Sequence, residues 1–260
     1  VSLSNHDWWY VFAVVCFMPV NWLLESSKFK FLLAGTKFLS WKGALLSVLA
    51  GISTGLLTPN RIGNFIGRNI FVDPHLKRRA TFVTLHCNLA QFLATVIFGI
   101  ICLAYLGFEK AGSDSVAIGL LVGVILLAGI LLYFRPVFGL KLLPGFVKTP
   151  DTVSAVQNVD DADLEVKIGA LFISILRYGV FLLQYYLLLD AFYVPELEFS
   201  IVPALAVVFL ITTLIPSFLF GKVFVREAAG LFVLSQFGIP SVIILLTAFL
   251  LWFINLAVAS

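Results

Sequence analysis

The sequence predicts an all-α fold, a polytopic helical membrane protein with about seven to eight membrane segments, because a span needs about 20 apolar residues to cross a bilayer core roughly 30 Å thick. Composition is the first observation behind this expectation. Apolar residues make up 61% of the 260 and charged residues 12%, where a soluble domain carries about 45–50% and about 25%. Mean hydropathy is +1.06. The second observation is the absence of alternation. Residues 242–251 are apolar on every face apart from Thr247, whereas a barrel strand alternates polar and apolar side chains. Helices are then the class that satisfies the backbone within a bilayer, and residues 1–260 read as a single transmembrane domain.

The segments follow in order. The first covers 8–24, with Trp8, Trp9, Tyr10 and Trp22 as interfacial anchors, and is expected to stop at Glu25, Lys28 and Lys30. The second, 43–57, is short and rich in small residues, which favours a re-entrant hairpin over a crossing. The others are 80–106, 116–134, 168–189, 201–215, a short piece at 228–237, and 241–258. Cys16, Cys87 and Cys102 lie apart within hydrophobic stretches, with no spacing suited to a metal or redox pair, and are expected to pack or face lipid. The chain starts at Val1 with no signal-peptide pattern, and something N-terminal to it is expected to be missing.

Loop charges orient the segments, since Lys and Arg near helix ends stay cytoplasmic. Lys28, Lys30, Lys37 and Lys42 precede the short second segment, and Arg61, Arg68, Lys77, Arg78 and Arg79 follow it. Basic flanks on both sides place both ends in the cytoplasm. The loop at 135–167 is then cytoplasmic, and the loop with Asp190, Glu196 and Glu198, which has no Lys or Arg, is external. The acidic run Asp160, Asp161, Asp163 and Glu165 reads as a solvated linker supporting the next helix start, rather than a divalent-cation site.

Polar residues inside apolar runs single out the candidate site. An Arg at the centre of a span costs about 2.5–3.5 kcal/mol on insertion scales, so it marks function by default. Arg177 is such a residue, and Gln184 lies seven positions on, which puts both on one helix face. Arg177 reads either as a ligand for phosphate or carboxylate or as the partner of a buried acid such as Glu227. Thr84, Asn88, Gln91 and Thr95, with His86 nearby, form a polar stripe suited equally to interhelical hydrogen bonding and to a path.

Two breaks complete the pattern. Thr58 and Pro59 read as N-cap and first position of a new short helix, followed by Asn60, Arg61, Gly63, Asn64 and Arg68. Pro216 is followed by Gly221, Arg226 and Glu227. In each, a Gly follows the Pro and an Arg lies five residues beyond the Gly. The two regions look like degenerate copies, which predicts two inverted-repeat-like halves with broken helices at a binding site.

The segment Leu57-Thr58-Pro59-Asn60-Arg61-Ile62-Gly63-Asn64-Phe65-Ile66-Gly67-Arg68, with Leu214-Ile215-Pro216 and Val225-Arg226-Glu227-Ala228-Ala229, resembles the lysylphosphatidylglycerol synthase transmembrane-region family of flippase-like domains. Leu176-Arg177-Tyr178 through Gln184-Tyr185-Tyr186 looks like the corresponding helix of its Bacteroidetes-type members. The resemblance covers nearly the whole chain. It implies a multi-pass domain of the bacterial inner membrane that moves a lipid between leaflets, in some members an aminoacylated phosphatidylglycerol made by an attached synthetase domain. The family motif usually has Glu where this chain has Asn64, and the second motif is lengthened by Gly221-Lys222-Val223-Phe224.

The leading expectation is a flippase for an anionic, phosphate-bearing lipid, with Arg177, Gln184, Pro59, Arg61, Gly63, Asn64, Arg68, Pro216, Gly221, Arg226, Glu227, Asn88 and Gln91 as binding residues. No phosphate-binding G-x-x-x-x-G-K-[ST] loop occurs, and no cofactor, metal, nucleic-acid partner or catalytic motif is expected. The alternatives are a membrane-embedded lipid transferase and a non-transporting partner of a lipid-modifying synthetase or glycosyltransferase.

Overall fold

The computed structural model describes residues 7–33, 39–56, 58, 62–106, 113–142, 149–192, 198–215 and 221–257. Among these the regular elements are all helical: α1 (Asp7–Leu33), α2 (Trp41–Leu56), α3 (Gly63–Arg68), α4 (Lys77–Tyr105), α5 (Ser113–Phe134), α6 (Val137–Leu142), α7 (Pro150–Asp160), α8 (Leu164–Phe192), α9 (Val202–Leu214), α10 (Gly221–Leu234) and α11 (Ser241–Trp252). Spans Trp8–Leu33, Pro74–Tyr105 and Leu164–Phe192 are long and apolar enough to cross a bilayer, and Trp41–Leu56, Gly119–Phe134, Phe199–Leu214 and Ser241–Asn255 are shorter apolar helices.

Side-chain pairs fix the directions of the long helices. Phe31 lies against Gly169, Lys28 bonds Ser174, Glu25 bonds Arg177 and Asn21 bonds Gln184. Numbers fall on α1 as they rise on α8, so the two run antiparallel. His86 stacks on Tyr133 and Leu93 meets Gly129, which makes α4 and α5 antiparallel. Rows of apolar side chains remain exposed: Leu120, Leu121, Val124, Leu127 and Leu131 on α5, and Val242, Leu245, Phe249 and Phe253 on α11 and the π turn that follows it. Their spacing draws a stripe along each helix, a surface that water would reject and hydrocarbon accepts.

Helix α1 corrects the sequence expectation that the first segment stops at Glu25, because it continues to Leu33. Glu25 and Lys28 are buried at 2% and 0% exposure, with Phe29 and Leu33 packed beyond them. The helix continues past these charges because other helices supply them with partners inside the bundle. The piece expected at 228–237 begins earlier, at Gly221, since Arg226 and Glu227 are carried within α10.

Helices α2 and α3 form a short hairpin. Thr54 Oγ1 donates to Gly63 O at 2.6 Å, and the backbones approach so closely that a Cβ at Gly67 would overlap the Ala50 carbonyl and the Thr54 hydroxyl. Only glycine permits that contact. Lys30 lies 4.4 Å from the Trp41 ring centre, placing the start of α2 beside the end of α1. Asn69 Nδ2 donates to Thr81 Oγ1 at 2.8 Å, placing the end of α3 beside the start of α4. The hairpin therefore leaves and returns at one end of the bundle. The helix start expected at Pro59 lies outside the described residues, and the helix described next, α3, runs from Gly63. The Thr58 hydroxyl accepts from Gly63 N at 2.7 Å and donates to Thr54 O at 3.0 Å, tying the end of α2 to the start of α3.

Within 135–167, α7 is capped by Thr149, which accepts from Thr152 N, with Pro150 at the first position. Arg78 pairs with Asp151 at 2.6 Å and ties α7 to the start of α4. In the acidic run, Asp160 accepts from Val137 N and pairs with Arg135 at 3.7 Å, while Glu165 sits in the first turn of α8, where a carboxylate suits the helix dipole.

Candidate functional site

Glu25 and Lys28 stand three residues apart on α1 and face the same way, paired at 2.8 Å. The Glu25 carboxylate also accepts from Arg68 Nη2 of α3 at 2.7 Å and from Arg177 Nη1 of α8 at 3.0 Å. Lys28 Nζ spends its other two donors on Cys87 O of α4 and Ser174 Oγ of α8, both at 3.1 Å. Arg68 Nε donates to Asn64 Oδ1 at 3.1 Å. Arg177 Nη1 also reaches Gln91 Oε1 at 3.3 Å, and Gln91 Nε2 donates to Ser174 O at 3.3 Å. Four helices are joined in one polar cluster.

Three cations surround one carboxylate, so two positive charges are uncompensated. Among the described residues no second carboxylate pairs with Lys28, Arg68 or Arg177. Burying a charge without a partner is strongly unfavourable, and hydrogen bonds alone remove part of that penalty. Two donors, Arg68 Nη1 and Arg177 Nε, are buried with no hydrogen-bond partner. The excess charge and the unused donors both favour an anion.

The cluster meets a cavity of about 670 Å³, within the usual range of about 300–1,000 Å³ for small-molecule sites. Arg177, Asn64, Gln91, Asn88, Thr95 and Thr213 give it a polar side; Phe65, Phe82, Leu85, Leu89 and Phe92 give it an apolar one. Val156 and Val159 of α7 close another wall. Leu85 is 52% exposed, so the cavity opens along the flank of α4. Asn64, after the first sequence break, and Thr213, before the second, face the same space.

Of the sequence-expected residues, Asn64, Asn88, Gln91 and Arg177 line the cavity, and Arg68 lies behind Asn64. Gly63 belongs to the hairpin contact. Gln184 does not line the cavity. It is fully buried, donates to Val14 O and accepts from Asn21, both at 2.9 Å, and Asn21 reaches on to Asn255 at 3.2 Å. Gly221 opens α10 and Glu227 is half-buried on it, while the Arg226 guanidinium lies 5.5 Å from the Phe209 ring centre; none of these three lines the cavity. Pro59, Arg61 and Pro216 lie outside the described residues. The polar stripe on α4 divides: Thr84 bonds its own helix at Ala80 O, while Asn88, Gln91 and Thr95 reach the cavity. Arg177 does pair with an acid, but with Glu25 rather than Glu227.

Sequence reasoning missed Glu25, Lys28 and Ser174. The available signal was the apolar run Phe29, Phe31, Leu32 and Leu33 beyond Lys28, which extends the helical pattern past the charges. Among the described residues no group of three or more His, Cys, Asp or Glu is placed to hold a metal ion.

Comparison of the chain with family models, curated proteins and solved structures gave no match. The resemblance to the flippase-like family rests on the motif residues alone.

Proposed function

We propose that this chain is a lipid flippase or transporter of the bacterial inner membrane that passes an anionic, phosphate-bearing lipid between leaflets, with the headgroup held at Arg177. The carrying observation is the join between a buried cluster with two uncompensated positive charges and a cavity whose other walls are apolar. An amphiphile with an anionic head meets both requirements. Arg is suited to a phosphate because its planar fork donates parallel hydrogen bonds.

In this reading α2–α3 is a re-entrant hairpin, entering and leaving on the cytoplasmic side with 135–167, and α9–α10 is its counterpart in the other half. The placement of Asn64 and Thr213 on one cavity supports two broken segments serving one site, the arrangement common in transporters with repeated halves. Asn64 also bears on the headgroup. Its amide accepts from Arg68, where a Glu would add a negative charge and favour a cationic head. The amide leaves the excess positive charge in place.

Vesicles reconstituted with the protein and labelled phosphatidylglycerol, lysylphosphatidylglycerol or undecaprenyl phosphate test the proposal. The anionic lipids are expected to exchange between leaflets faster than the lysylated one. Preferential movement of the lysylated lipid, or no protein-dependent movement of any of them, would overturn it.

A further inference from the structure

We infer that the headgroup taken at this site is a phosphate monoester, carrying two negative charges, rather than a phosphodiester carrying one. The inference deepens the transport reading and rests on it for the lipid character of the ligand. Its ground is the charge count together with the donor count. Lys28, Arg68 and Arg177 face the single carboxylate of Glu25, so neutrality inside the bundle calls for two further negative charges. A diester leaves one of the cationic charges uncompensated in a low-dielectric setting, where an unpaired charge is least tolerable. A monoester, with a charge of about −1.5 to −2 near neutral pH, removes the excess.

The donors point the same way. Lys28 has no free N–H, since its three are engaged by Glu25, Cys87 and Ser174. Arg68 keeps Nη1 and Arg177 keeps Nε, both buried and unpartnered. These come from different helices, α3 and α8, both anchored on Glu25. A terminal phosphate offers three oxygens free of ester links, so in the cavity it can accept from Arg177 and from the Asn64 and Gln91 amides that line it, while Arg68 contributes its charge from behind Asn64. A diester offers only two such oxygens and carries a substituent on either side.

The same phosphate chemistry is offered by a lipid and by free phosphate, and the apolar walls distinguish them. Phe82, Leu85, Leu89 and Phe92 add burial of acyl or prenyl carbon, at about 25 cal/mol per Å² of apolar surface removed from water, which inorganic phosphate cannot use.

The test measures binding to the full chain in a neutral detergent, by intrinsic tryptophan fluorescence or the shift in unfolding temperature. The probes are dioctanoyl phosphatidic acid, dioctanoyl phosphatidylglycerol and inorganic phosphate, at about pH 8, where the monoester is fully ionised. Phosphatidic acid is expected to bind at least about tenfold tighter than phosphatidylglycerol, the order expected of one more unit charge in the cluster after its desolvation. Inorganic phosphate is expected to bind more weakly than phosphatidic acid. Arg68→Gln and Arg177→Gln each leave a single excess charge and should bring the monoester advantage below about threefold, while Arg177→Lys, which keeps the charge, should preserve it. If Arg68→Gln does not fold, Arg177→Gln decides, since its side chain lies at the cavity edge with 18% exposure. Equal binding of the two lipids, inorganic phosphate as tight as phosphatidic acid, or an unchanged ratio in Arg177→Gln would each overturn the inference. Lipid exchange in vesicles without a monoester preference would remove this inference and leave the transport reading intact; monoester preference without exchange would do the reverse.

Discussion

Arg177 donates to Glu25 at 3.0 Å across the antiparallel α1–α8 pair, and Arg68 closes the same carboxylate from the hairpin side at 2.7 Å. One acid therefore fixes three separate elements at a common depth. In a bilayer the packing of apolar faces gives little net drive between helices, so polar contacts and close approach of small residues carry much of the specificity. The cluster and the glycine contacts of α2–α3 are these two devices placed side by side.

Loss of the carboxylate is expected to be more damaging than loss of any one cation. Glu25→Gln leaves Lys28, Arg68 and Arg177 facing one another, and breaking a buried pair from one side costs about 3–5 kcal/mol. Thermal unfolding in detergent should place Glu25→Gln well below Arg177→Gln, whose removal reduces the excess charge. Equal stability of the two variants would show that Glu25 is not the common anchor.

The hairpin should be intolerant of a single methyl group. Gly67→Ala sets a Cβ against the Ala50 carbonyl and Gly63→Ala one against the Thr54 carbonyl, and backbone cannot swing aside as a side chain can. Overpacking of this kind costs about 1–3 kcal/mol. Gly179 on α8 has nothing within 4 Å of a built Cβ, so Gly179→Ala should be neutral or stabilising by up to about 1 kcal/mol through helix propensity. The comparison is read from the unfolding temperatures of the three variants.

Gln184 is expected to matter for the α1–α8 seam and not for the headgroup. A double-mutant cycle of Asn21→Leu and Gln184→Leu should give a coupling of about 0.6–1.7 kcal/mol, the range typical of hydrogen bonds between membrane helices, with lipid binding at the cavity unchanged in ratio. A coupling near zero would remove the seam's role.

These contacts also explain what was legible in the chain. The long apolar runs announced α4, α5 and α8 within a few residues, because length and hydropathy are local properties. Arg177 stood out because an Arg within an apolar run is costly wherever its partner lies. The partner did not stand out. Glu25 is 152 residues away from Arg177 and 43 from Arg68, and a charge near the end of an apolar run looks the same whether it faces water or completes a cluster. Gln184 shares a helix face with Arg177, as its spacing indicated, yet that face runs along α1 and only part of it borders the cavity. Spacing gives the side of a helix, and packing decides what lies opposite.

Topology yields a direct check of the hairpin. In a background without Cys16, Cys87 and Cys102, single cysteines at the exposed positions Lys42, Arg78 and Glu198 should be labelled by a membrane-impermeant reagent in two classes. Lys42 and Arg78 are expected to react together from the cytoplasmic side and Glu198 from the opposite side. Opposite accessibility of Lys42 and Arg78 would make Trp41–Leu56 a full crossing and end the re-entrant reading.

The most direct measurement compares leaflet exchange of an anionic phosphate lipid in vesicles containing wild-type protein, Arg177→Lys or Arg177→Gln, each shown to be folded by its unfolding temperature. If the headgroup is held at Arg177 during transfer, Arg177→Gln should fall to the rate of protein-free vesicles, and Arg177→Lys should keep a measurable part of the wild-type rate because it retains the charge without the fork. Exchange by Arg177→Gln at the wild-type rate would contradict the account.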